Sequence, residues 1–198
     1  MRILVFICVF FFFSCTSRDF LIKEGSKIIG FEFFVFIETT DKNFNGKGEA
    51  ILSENSFKCK IKDVFFDKTI TTIFFDSFLN QAKVYLNLEG IGYTFQDEEI
   101  VKVLTSDFYN IITGNFSFSS LQKEFYKNET KIEILINTLK RKNNIPCRIA
   151  FNISQGGKKE KIIFDITKFN DKIKIEENNL TFIKAEDFNI IDFLASFE

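Results

Sequence analysis

Residues 83–104 read KVYLNLEGIGYTFQDEEIVKVL, and along this stretch the apolar period changes. Val84, Leu86 and Leu88 alternate with Lys83, Tyr85, Asn87 and Glu89, the period of a half-buried strand. The turn-forming Leu88-Glu89-Gly90 and a second strand, IGYTF, follow. From Glu98 to Ile112 the apolar residues Val101, Leu104, Phe108, Ile111 and Ile112 recur at steps of three and four. Asp97-Glu98-Glu99 precede them, where a helix dipole favours negative charge, and Gly114 follows as a stop. A β-hairpin therefore feeds directly into one amphipathic helix.

Upstream the strand period continues. In GFEFFVFIE, Phe31, Phe33, Val35 and Ile37 alternate with Glu32, Phe34, Phe36 and Glu38, so both faces are apolar mid-strand and a strand covered on both sides is expected. SFKCKIK alternates Phe57, Cys59 and Ile61 with Lys58, Lys60 and Lys62; GKGEAIL and TITTIFF complete a meander with turns at DKNFNG and ENS. Downstream of the helix, KIEILINTLKR, CRIAFNIS and KIIFDITKF return to strand, with a turn at Gly156-Gly157. IKI and LTFIKA suggest one more hairpin, and EDFNIIDFLASFE, with Phe188, Ile191 and Leu194 on one stripe, a short C-terminal helix. The expected fold class is α+β: a strongly curved antiparallel β-sheet, an incomplete β-barrel, with a helical lid, in a single domain. Its interior is either filled by side chains or open to a ligand.

The chain begins MRILVFICVFFFFSC. Eleven apolar residues, Ile3 to Phe13, are too few to cross a bilayer as a helix, which takes about 20, and fit the h-region of a signal peptide behind Arg2. Residues 1–14 are read as signal, 15–29 as tether and 30–198 as the folded domain. Ser14-Cys15 resembles the lipobox of bacterial lipoproteins, in the loose form with Phe12 and Phe13 that spirochaetes use; the resemblance implies lipid attachment at Cys15. Two or three acyl chains then hold the protein on a membrane, since one chain alone binds marginally.

Composition narrows the function. The chain has 29 Phe, no Trp and no His; without Arg2, 25 basic residues face 27 acidic ones, with none of the basic excess of a nucleic-acid binder. Absence of His removes the commonest metal ligand and general base, and Ser119-Ser120 therefore lacks a base partner of that type. Glu98-Glu99 and Glu176-Glu177 read as solvated charge, and Gly156-Gly157-Lys158-Lys159 as a hairpin turn without the spacing of a phosphate loop. No enzyme, cofactor or metal site is expected. Cys59 and Cys147, both on the apolar parity of their strands, are either buried thiols or one bridge.

Three stretches, KVYLNLEGIGYTFQDEEIVKVL, DFYNIITGNF and NIPCRIAFNISQGGKKEKIIFDITKF, together resemble the LolA/LolB family of bacterial lipoprotein carriers and receptors over roughly residues 30–169. The likeness is closest to its lipoprotein member, LolB. The resemblance implies a monomer tethered by Cys15 lipids to the outer membrane, on its periplasmic face, that takes acylated lipoproteins or lipid from a periplasmic LolA-like carrier and releases them to the bilayer. It also implies that KDVFFDKT carries a membrane wedge, Phe65 with Phe66, although the segment also reads as plain strand. In place of the family's Trp, Phe34, Phe36, Phe95 and Phe108 are expected to line the lipid-binding cavity, or to serve as ordinary core. The competing reading is a surface-exposed lipoprotein with a filled barrel, an interaction or structural module.

Overall fold

The computed structural model describes residues 27–39, 43–114, 120–127, 130–142, 145–177 and 180–185. The signal segment, Cys15 and the expected C-terminal helix lie outside them. Along the chain run β1 (Ile28–Glu38), β2 (Asn43–Ser53), β3 (Ser56–Asp63), β4 (Thr69–Asp76), β5 (Gln81–Leu86) and β6 (Ile91–Gln96). A helix of 16 residues follows, composed of α1 (Glu98–Lys102), a π-helical turn (Val103–Asp107) and α2 (Phe108–Thr113). Then come β7 (Ser120–Lys127), β8 (Thr130–Lys142), β9 (Ile145–Gln155), β10 (Lys158–Phe169) and β11 (Phe182–Lys184).

Among the described residues, eleven strands form one open sheet in the order β11-β6-β5-β4-β3-β2-β1-β10-β9-β8-β7. Every pairing is antiparallel except β11 with β6. Two meanders thus meet at the β1–β10 seam, and the helix connects β6, near one edge, to β7, the opposite edge. The segment 180–185 does not form the expected hairpin. It lies parallel along β6, with Phe182 against Phe74 and Tyr85 and under Lys83.

The apolar parity read from the sequence becomes the inner face: Phe31, Phe33, Val35 and Ile37 of β1, Phe57, Cys59 and Ile61 of β3, Ile132, Ile134 and Ile136 of β8 are all buried in one core. The sheet curls around the helix. Phe108 brings its ring within 5.7 Å of Phe57 on β3 and 5.2 Å of Phe151 on β9, so those two rings lie within about 11 Å of each other, whereas β3 and β9, four strand spacings apart, would be roughly 19 Å apart in a flat sheet. One turn of helix reaches both.

Room for this curl comes from small residues. On the inner face of β2, Gly46, Gly48 and Ala50 replace large side chains; a Cβ on Gly48 would stand 2.5 Å from the Lys60 carbonyl oxygen and 2.6 Å from the Phe33 ring, which covers it. Gly114, expected as the helix stop, caps α2 in the left-handed region at φ 76° and donates its N–H to the Ile111 carbonyl.

Candidate functional site

The helix and the phenyl groups beneath it form the candidate site. Asp97 caps its start by accepting from the Ile100 N–H at 3.1 Å. The π-helical turn then shifts the phase: Leu104, expected on the buried stripe, is only half-buried, whereas Thr105 and Asp107 are buried. Thr105 satisfies its hydroxyl by donating to the Val101 carbonyl at 2.8 Å. The carboxylate of Asp107 faces β7, where Lys123 Nζ stands 3.2 Å from Oδ2 as an ion pair rather than an aligned hydrogen bond. The next residue, Phe108, is fully buried with its ring 6.2 Å from Phe31, 5.7 Å from Phe57 and Phe164, and 5.2 Å from Phe151. Several of these pairs meet edge to face, the arrangement that ring quadrupoles favour.

Of the four phenylalanines expected to line one cavity, the structure brings only two into the same core. Phe95 and Phe108 are buried on the inner side. Phe34 and Phe36 belong to the other parity of β1: Phe36 is half-buried and Phe34 is 42% exposed in a shallow outer groove of about 220 Å³, beside Lys47, Lys62 and Asp67. The grouping is corrected by the period of two, which sends successive side chains of a strand to opposite faces. The phenyl groups that surround Phe108 are instead Phe31, Phe57, Phe151 and Phe164. Asp107 was missed as well, although a lone carboxylate inside an apolar helical stretch was visible in DFYNII.

Phe65 and Phe66 stand in the β3–β4 turn, 89% and 77% exposed. Their backbone N–H groups both donate to Asp63 Oδ1 at 2.7 Å, and Asp67 closes the turn at φ 57°. Asp67 is held by Lys47 at 3.2 Å and Lys62 at 3.8 Å; hydrogen bonding and charge from Lys47, then charge from Lys62, keep its carboxyl below the usual range. Cys59 and Cys147 are free buried thiols, on strands separated by β2, β1 and β10. Burial raises both thiols above their ordinary range, Cys59 the more. Among the described residues there is no cluster of potential metal ligands, and no helix is long and apolar enough to cross a membrane.

No family model matches the chain, and no curated protein matches it. Among solved structures it is similar to a DUF1329 family protein from Desulfovibrio piger, at 11% identity over 80% of this chain and 93% of that one, with a TM-score of 0.41. It is also similar to PNGF-II in two crystal forms, at 6% and 9% identity and TM-scores of 0.35 and 0.36, covering 85% of this chain. The chain spans about a third of the length of PNGF-II, 33%.

Proposed function

We propose that this protein is a membrane-tethered acceptor of acyl chains: held by lipid on Cys15 at the periplasmic face of the outer membrane, it takes the chains of a lipoprotein or lipid between the curved sheet and the helix, then yields them to the bilayer. The observation that carries this reading is Phe108, one helical side chain enclosed by phenyl groups from β1, β3, β9 and β10. A flexible acyl chain entering as the helix lifts would meet the same non-directional apolar surroundings. Transfer needs no bond chemistry, only a gradient of affinity from a soluble carrier to acceptor to membrane. The exposed Phe65–Phe66 turn supports the reading as an apolar contact for chains in passage.

Titrating the full chain with a fluorescent diacylated peptide tests it. Saturable binding that tightens in Phe108→Ala, and is absent for the same peptide without acyl groups, is the expected result. If neither the parent nor a folded Phe108→Ala variant binds the acylated peptide, the interior is a packed core and the surface-interaction reading replaces this one.

A further inference from the structure

The β4–β5 turn repeats the construction of the β3–β4 turn at the other end of the sheet. Asp63-Val64-Phe65-Phe66-Asp67 and Asp76-Ser77-Phe78-Leu79-Asn80 share an acid that opens the turn, two apolar residues at its tip and a closing residue in the left-handed region, Asn80 at φ 48°. Asp76 Oδ1 accepts from the Phe78 and Leu79 N–H groups at 2.9 and 3.2 Å. Neighbours brace the tip: Ser77 N–H donates to the Asn55 carbonyl at 2.9 Å, and Asp97 N–H to the Asn80 carbonyl at 3.3 Å. Phe78 is nevertheless 80% and Leu79 60% exposed. These bonds hold the turn while its two apolar side chains stay in water.

Strand pairing fixes what else lies at that end. Ile28, exposed at the start of β1, pairs with Ser53; Ser56 pairs with Asp76; Lys142 pairs with Ile145. The same rim therefore carries the entry of the chain from its N-terminal segment, the Phe78–Leu79 tip, and the exposed run Leu139-Lys140-Arg141-Lys142 that ends β8. The rim's acids include Glu54 in the β2–β3 turn, Asp76, and Asp97, Glu98 and Glu99 at the helix start, all on the β6 half of the sheet, with Asp171 just past β10; the basic run ends β8. Phe65 and Phe66 project from the opposite rim, one β4 length away, about 26 Å.

We infer that the Phe78–Leu79 rim is a docking surface for an anionic lipid bilayer. Apolar side chains enter the interface, and Lys140, Arg141 and Lys142 face the headgroups. Orientation follows from this surface rather than from the tether: the residues between Cys15 and Ile28, extended, span about 45 Å and would permit either rim to face the membrane. With Phe78 and Leu79 seated, Phe65 and Phe66 point away from the resident membrane. The inference rests on the proposed function only for the membrane tether.

Because the chain contains no Trp, Phe78→Trp and Phe65→Trp each create a single reporter. The full chain is mixed with vesicles of phosphatidylcholine and phosphatidylglycerol whose acyl chains carry bromine. Trp at position 78 is expected to shift to the blue and be quenched, while Trp at position 65 keeps its aqueous emission. Changing Lys140, Arg141 and Lys142 together to Gln should weaken vesicle binding of the Phe78→Trp chain roughly a hundredfold when anionic lipid is present and change little without it. Quenching at position 65, or at neither position, overturns the inference. Acyl-peptide binding is read in separate samples without vesicles, so its failure and the failure of docking are told apart.

Discussion

At the scale of single residues, Cys59 shows how far its environment departs from that of a redox or nucleophilic thiol. It is buried on β3 between Phe57 and Ile61, and burial alone raises its pKa, since the thiolate would lose its water. In the unfolded chain the thiol ionises near pH ~8.5, whereas in the folded chain it keeps its proton. Above that pH the unfolded state binds fewer protons than the folded one, so the contribution of this residue to stability is complete below pH ~8.5 and declines as pH rises, by at most about 1.4 kcal/mol per pH unit. Urea unfolding at pH 8 and pH 10 should show this loss, and Cys59→Ala, less stable at both, should show a smaller difference between them. A native chain whose Cys59 reacts with a maleimide as fast as an unfolded one at pH 8 would contradict the burial on which the sign depends. Neighbouring Lys58 and Lys60 point to the other face, so the parity visible in SFKCKIK already set this thiol apart from its charged neighbours.

At the scale of elements, the helix is where stability and opening are balanced. A buried carboxylate placed beside the central phenyl is costly unless paired, and the π-helical turn is what brings Asp107 to face Lys123. Lys123→Met should therefore cost about 1–3 kcal/mol, less than the loss of a fully buried pair because Lys123 is about a third exposed and its charge partly screened by water. Amide hydrogen exchange should speed up over Val103–Asp107 and α2 before it changes in β1. Adding Asp107→Asn to Lys123→Met should recover part of the loss, because the stranded charge is gone. Unchanged exchange in the single variant would mean that the phenyl contacts alone hold the helix down. The same element shows the limit of reading by period: a uniform 3.6-residue repeat places Leu104 inward, and no local feature of VLTSD announces the wider turn that instead buries Thr105 and Asp107.

At the scale of the whole molecule, strand parities, the helix from Glu98 and its stop at Gly114 were legible because each is decided by residues a few positions apart. The seam was not: β1 joins β10 with Glu38 and Lys161 paired across 123 positions, and nothing local in either segment names the other. Apolar residues on both faces of GFEFFVFIE suggest cover on both sides, but only the Phe31–Ile37 face is covered: Phe34 is 42% exposed and Phe36 half-buried, across the sheet from Phe108. Only the curl resolves this, and it brings the inner faces of both meanders onto one core. Phe31, fully buried on β1, touches Phe33, Phe108 and Phe169, so it joins the seam to the helix. Phe31→Ala should cost about 3–5 kcal/mol. The loss should register equally at both sides of the sheet, because neither meander keeps its inner face covered without the other. Single-Trp reporters at Tyr93 on β6 and Tyr126 on β7 provide the check: their urea transitions should coincide in the parent chain and move together in Phe31→Ala. If the β6 reporter held its midpoint while the β7 reporter fell, the meanders would be separable units; the contacts of Phe108 with phenyl groups on both sides of the seam argue that they are not.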